Sequence, residues 1–146
     1  MTHDSSLLPA ILYKRPIDQR FRDDYRRWQG IPSIEVTDKG RNFCQFLFWT
    51  RCRSRWKYYG FCVSAIDGGD TFRSCEAVAE HPDPECRIYD PCLWIDPHNV
   101  LWMTWTQAKG FNDGRSGVWV STCQEPRCRI SHLDSTAPHR QRNHDE

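Results

Sequence analysis

Through the middle of the chain, apolar and polar positions alternate with a period near two, and the aromatic runs are set apart by turn-forming residues. After Gly30, residues 31–37 read as a strand, Asp38-Lys39-Gly40 as a turn, and 42–50 as a second strand rich in Phe and Trp. A polar stretch over 51–55 leads to a third strand at 57–66, and Asp67-Gly68-Gly69-Asp70 turns the chain into a fourth at 71–79. In that turn glycine supplies positive φ, an Asp side chain accepts the turn's own N–H groups, and an aromatic, Phe72, follows as a plug. His81-Pro82-Asp83-Pro84 breaks the pattern, because proline removes ladder donors and biases the residue before it. Strands are predicted again at 92–96, 100–107 and 117–123, with a turn at Pro97-His98-Asn99 and a loop over 109–115.

The two halves match. Pro32 aligns with Pro91 (91 − 32 = 59), Asp38-Lys39-Gly40 with Pro97-His98-Asn99, and Phe43 with Trp102. Phe61-Cys62-Val63-Ser64 aligns with Val118-Trp119-Val120-Ser121 (121 − 64 = 57). A period near 58, built of strand-turn-strand-loop-strand, is a blade-like repeat. The expected fold is therefore all-β: a partial β-propeller of two four-stranded antiparallel meanders, one blade over about 30–80 and the other over about 89–133. Residues 1–29 form an N-terminal arm in which Phe21, Tyr25 and Trp28 stand at helical spacing, so a helix face and an irregular arm are both compatible readings. Residues 134–146 are polar and free of aromatics, and are expected to be a disordered tail.

Composition narrows the chemistry. Seven Trp, seven Phe and five Tyr among 146 residues, at a mean hydropathy of −0.76, leave the packing to aromatic rings. Twenty Lys plus Arg against nineteen Asp plus Glu give a net charge of +1, so no overall field recruits nucleic acid or an anionic membrane. The basic and aromatic stretch 51–59 has the ingredients of single-strand binding without a wider basic face, and no nucleic-acid partner is expected. The early apolar run 7–12 is interrupted by Pro9 and too short for a span, so no membrane partner is expected; residues 1–6 lack the basic start of an export signal, which points to the cytoplasm. Eight cysteines (44, 52, 62, 75, 86, 92, 123, 128) read as reduced core fillers. Cys123, Cys128 and His132, or His81, Cys86 and Cys92, are the zinc alternatives, but neither set has paired Cys-x-x-Cys spacing; no metal and no other cofactor is expected.

Three stretches together resemble the sialidase-like, Asp-box (BNR-repeat) glycoside hydrolases, a family of six-bladed β-propellers. Residues 64–72, Ser-Ala-Ile-Asp-Gly-Gly-Asp-Thr-Phe, are similar to the Asp-box, whose structural positions would be Asp67, Gly68, Gly69, Thr71 and Phe72. Residues 28–36 resemble the strand opening a first blade; 89–97, 101–107 and 114–120 resemble a second blade. The resemblance implies exo-acting hydrolysis of terminal glycosidic bonds and a carbohydrate partner, by a chain incomplete on its own. In the family's opening motif an arginine grips the substrate carboxylate, and here Gly30 takes its place. The loop that would carry the acid/base aspartate holds no carboxylate over 51–55, and Ala65 stands where the Asp-box serine belongs. The family's tyrosine nucleophile falls in later blades.

On a propeller the leading ends of the innermost strands face the ligand. Asp90 is then the first catalytic candidate, with Asp113 as the carboxylate to pair with it. Arg87, Gln107, Lys109, Arg115, Trp28 and Gln29 are the substrate-binding candidates, since guanidinium, amide and indole groups suit sugar hydroxyls or a carboxylate. A non-catalytic carbohydrate-binding module on the same scaffold is the alternative reading. Either way, two open blades would expose edges through which copies self-associate.

Overall fold

A computed structural model of the chain describes residues 5–52, 55–65, 67–72, 74–109, 116–124 and 134–139. The described residues form two antiparallel sheets and no α-helix. The first sheet contains β1 (Ile11–Lys14), β2 (Trp28–Val36), β3 (Asn42–Cys52), β4 (Arg55–Ala65) and β5 (Ser74–Glu80), in the spatial order β1-β5-β4-β3-β2. The second contains β6 (Cys86–Ile95), β7 (Leu101–Lys109), β8 (Ser116–Cys123) and β9 (Asp134–His139), in chain order. The all-β expectation holds, and the strands of the two halves do not interleave. No described helix is long and apolar enough to cross a membrane.

Two elements differ from expectation, and one open reading is decided. The arm contributes a strand: β1 pairs with β5, Ile11 opposite Glu80 and Lys14 opposite Ala77, so the first sheet has five strands. Ile-Leu-Tyr suits a strand, and pairing covers the open N–H and C=O groups along β5. The rest of the arm is not helical beyond single 3-10 turns at Ser5–Leu7, Gln19–Phe21 and Asp23–Tyr25, with the Asp18 carboxylate accepting the Arg20 N–H. Phe21 is buried, Tyr25 is exposed and Trp28 already belongs to β2, so the three rings share no face. Finally, part of the expected disordered tail is β9, which pairs with β8 (Thr136 opposite Val120) and carries Pro138 at the sheet edge, where a missing donor costs no ladder bond.

The repeat extends to backbone detail. Both leading strands carry an irregularity at the same place, between Gly30 and Ser33 in β2 and between Tyr89 and Cys92 in β6. At each, a non-glycine residue before proline has positive φ: Ile31 at 53° and Asp90 at 48°. Such a conformation is strained for a side-chain-bearing residue, and more so for the β-branched Ile31, so its occurrence at both positions marks one shared device. The following turns also match. Thr37 N–H reaches Arg41 O at 2.9 Å, and Asp96 N–H reaches Val100 O at 3.0 Å; Gly40 (φ 77°) and Asn99 (φ 62°) occupy the left-handed position. The Thr37 hydroxyl and the Asp96 carboxylate each accept the N–H four residues on. In the third strand the register moves by one: Phe43 pairs with Ser64 and Trp102 with Thr122, so Ser64 corresponds to Thr122 and not to Ser121.

Small residues on the first sheet receive large ones from the second. Cys62, Ala77 and Ala79 share a buried cluster with Ile88, Leu93, Met103, Trp105 and Trp119. Gly60 allows this approach, since a Cβ there would lie 3.4 Å from Ile88 Cγ2 and 3.6 Å from the Ala79 Cβ. The first sheet's other face is closed by the arm, with Phe21 packed among Cys44, Phe48, Tyr59 and Val78. Cover on both faces explains why Phe43 to Phe48 is nearly continuously apolar, whereas β7, covered on one face, alternates buried and half-buried positions.

The two sheets meet through non-equivalent faces. Phe43 points toward the second sheet, yet its counterpart Trp102 lies on that sheet's outer side, beside the exposed Trp94. Cys44 points away from the second sheet, yet its counterpart Met103 points toward the first. The packing is therefore head to tail rather than two-fold. The leading strands meet where the Leu93 N–H donates to Ser33 Oγ at 2.9 Å, with Cys92 Sγ 4.0 Å from the same hydroxyl.

Candidate functional site

The turn that opens β3 and the loop at 67–72 lie together at one end of the first sheet, where Gly69 comes within van der Waals reach of Asn42. Asp67 organises that loop: its carboxylate accepts the Thr71 N–H at 3.1 Å and also the Thr71 hydroxyl. Gly68 and Gly69 have φ of 72° and 94°, the conformation the sequence pattern requires of them. Phe72 is partly exposed and its ring lies 4.0 Å from the Cβ position of Gly69, so Asp67, Gly68, Gly69, Thr71 and Phe72 form one loop held by its own contacts.

At the opposite end, rings from three adjacent strands line up. Trp28 of β2 stacks on Trp49 of β3 at 4.8 Å and 22°, and Trp49 meets Tyr58 of β4 edge-on at 5.6 Å. The register produces this row, because Trp28 is directly opposite Trp49 and Trp49 directly opposite Tyr58. Arg87 of β6 extends it from the second sheet, its guanidinium 5.7 Å from the centre of the Tyr58 ring. Trp28 remains 40 % exposed, and Trp49, Tyr58 and Arg87 are half-buried.

Gly30 explains how Trp28 lies flat. A Cβ at Gly30 would stand 2.4 Å from Trp28 Cη2, 2.6 Å from Cζ2 and 3.2 Å from Cζ3. The indole folds back over the glycine of its own strand, filling the space where any side chain at position 30 would begin. Position 30 therefore has no room for a side chain while the indole lies there.

The other candidates are dispersed. Asp90 is exposed at the β6 irregularity, three positions beyond Arg87. Gln29 projects to the opposite face of β2 and lines an open groove with Phe21, Arg26, Phe46, Phe72 and Cys75. Gln107 is fully buried, its amide N–H donating to the Leu8 carbonyl and its oxygen accepting the Trp105 indole N–H, both at 3.0 Å; it fastens the N-terminal segment to β7 instead of meeting solvent. Lys109 binds Asp83 at 2.9 Å, Glu85 at 3.1 Å and the Ser5 hydroxyl at 3.0 Å. Ser5 and Lys109 together hold the Asp83 carboxyl well below the usual carboxylate range, and the two carboxylates raise the Lys109 ammonium. Asp113 and Arg115 lie outside the described residues.

Among the described residues no three His, Cys, Asp or Glu side chains gather as metal ligands. Of the zinc alternatives, Cys128 and His132 lie outside the described residues, while His81 and Cys86 are buried and Cys92 is exposed. Six described cysteines are free thiols. Burial pushes Cys62 up strongly and Cys75 up to about 12, the nearby Arg26 only partly offsetting the shift at Cys75.

Sequence reasoning missed Trp49 and Tyr58 as site residues. Their signal is relational: the β2–β3 register sets Trp49 opposite Trp28 and the β3–β4 register sets Tyr58 opposite Trp49, and only then do three rings become one surface. A scan of family models finds no match to the chain, and a search of curated proteins finds none either.

Proposed function

We propose that the chain is a carbohydrate-binding module built on two blades of a sialidase-like β-propeller, using Trp28, Trp49, Tyr58 and Arg87 without hydrolysing the sugar. The observation that carries this reading is the Trp28 indole lying over Gly30 and stacked on Trp49. A row of partly exposed rings offers apolar area to the C–H face of a pyranose at little conformational cost, and a guanidinium at its end supplies donors for hydroxyls or a carboxylate. Support for the propeller comes from the matched irregularities at Ile31 and Asp90 and from head-to-tail packing, both natural for successive blades around an axis. The Asp67 loop has the hydrogen bonds the Asp-box resemblance implies.

A second reading, hydrolysis of a terminal glycosidic bond, is favoured by one feature. Asp90 is an exposed carboxylate on a strained backbone, the kind of position functional sites often hold. The filled arginine position argues against a sialidase-type grip.

Titration of the purified chain with neutral and acidic oligosaccharides, followed by NMR, tests the proposal. Trp49→Ala is expected to weaken binding by about tenfold or more, and Arg87→Ala to weaken acidic sugars selectively. Undiminished affinity in Trp49→Ala would sink the binding site as drawn. Release of fluorophore from a sialoside or neutral glycoside, abolished by Asp90→Asn, would establish the hydrolase instead.

A further inference from the structure

We propose that a second copy of this chain docks head to tail, the outer face of β2 of one copy packing on the outer face of the second sheet of the next. The interface inside the chain already joins two such faces. Leu93 and Ile95 of β6 carry the second sheet's leading strand onto the first; Leu93 is 4 % exposed and Ile95 packs against the same core. Their counterparts on β2, 59 positions earlier, are Ile34 and Val36, which are 58 % and 51 % exposed. The receiving residue in the first sheet, Phe43, is wholly buried, whereas its counterpart Trp102 is only half-buried beside Trp94, with Trp94 53 % and Val118 42 % exposed.

Each chain thus presents an inserting strand face with nothing described on it and a receiving face in the same state, both of the kind it already joins internally. A second copy supplies the complement to each. The arm is compatible with this arrangement: Phe21 covers Phe48 and Tyr59 on the β3–β4 side and leaves Ile34 and Val36 of β2 uncovered. Because inserting and receiving faces differ, addition continues until a ring closes, and a symmetric dimer is not the expected product. The inference rests on the strand register and stands or falls apart from sugar binding.

Light scattering after size exclusion, over a range of concentrations, tests it with three variants. Ile34→Glu/Val36→Glu removes the inserting face, Trp94→Glu the receiving face, and Val118→Glu is a second receiving-face variant; circular dichroism verifies the fold of each. The native chain is expected to exceed dimer mass as concentration rises, and each variant alone to associate at least about tenfold more weakly. An equimolar mixture of the inserting-face variant with either receiving-face variant should yield a one-to-one pair, since each keeps the face the other lost. A native chain that stays monomeric, a symmetric dimer unaffected by the substitutions, or variants that fail to pair when mixed would overturn the proposal.

Discussion

Replacing Gly30 by alanine tests the packing on which the aromatic row depends. Alanine in place of glycine within a strand ordinarily gains about 0.5–1 kcal/mol by restricting the unfolded chain. Here the new methyl would meet three atoms of one rigid ring, the nearest at 2.4 Å, and the indole has to leave its position. Trp28 is 40 % exposed, so roughly three-fifths of it is covered. Taking the upper end of the roughly 150–250 Å² that aromatic side chains bury, the contact at stake is about 150 Å². At about 25 cal/mol per Å² its complete loss costs about 4 kcal/mol, with stacking on Trp49 adding about 1 kcal/mol. The ring keeps part of its contact in a new rotamer, so a net loss of about 2 kcal/mol is expected for Gly30→Ala. Urea unfolding followed by circular dichroism, which avoids changes in Trp28 emission, supplies the measurement. The double mutant Trp28→Ala/Gly30→Ala should be no less stable than Trp28→Ala alone, giving a coupling of about 2–3 kcal/mol between neighbouring sites. A Gly30→Ala chain as stable as the native one, or additive losses in the cycle, would refute the reasoning.

Acid should release the N-terminal segment before the sheets. Asp83 has a depressed folded pKa, so its bonds to Ser5 and Lys109 contribute fully above the unfolded carboxylate value near 4 and are lost progressively as pH falls from there toward the folded value; the protection factor of the Leu8 amide, its exchange taken relative to the intrinsic rate at each pH, should fall between pH 6 and pH 2 in the native chain and less so in Asp83→Asn. Thiol labelling near neutral pH should modify Cys92 fastest in the folded chain, Cys75 more slowly because its half-buried thiol is pushed up, and Cys62 only on unfolding because it is buried; mass spectrometry of the labelled peptides decides it. Asp67→Ala should cost about 1 kcal/mol, the worth of the bonds to Thr71, and should leave sugar affinity unchanged, since that loop lies at the far end of the sheets.

Much of the fold was legible, for reasons of local chemistry. The 67–71 loop could be read because Asp and Gly each have a defined role in it, and its geometry follows from those two residue types. The repeat could be read through Pro32 and Pro91, which mark the same irregularity in both leading strands. Gln107 suits a sugar by its amide alone, but its phase in the strand says otherwise: Leu101, Met103 and Trp105 share one face, and alternation puts Gln107 there too. β9 was not legible because backbone pairing with β8 holds it, and that leaves little trace in side-chain pattern. The row of Trp28, Trp49 and Tyr58 depends on two registers at once, and single-strand periodicity carries neither.

The two leading strands meet beside their matched irregularities, at Ser33 and Leu93. Ser33→Cys would set a new thiol beside Cys92, in place of a hydroxyl 4.0 Å from that sulfur. Mild oxidation of this variant should form a Cys-to-Cys92 bridge within one chain, seen as a faster band without reductant and absent when Cys92 is also replaced by Ser; closing a loop of about 60 residues should raise stability by about 2–4 kcal/mol. Both thiols reacting freely with label while no bridge forms would contradict the arrangement.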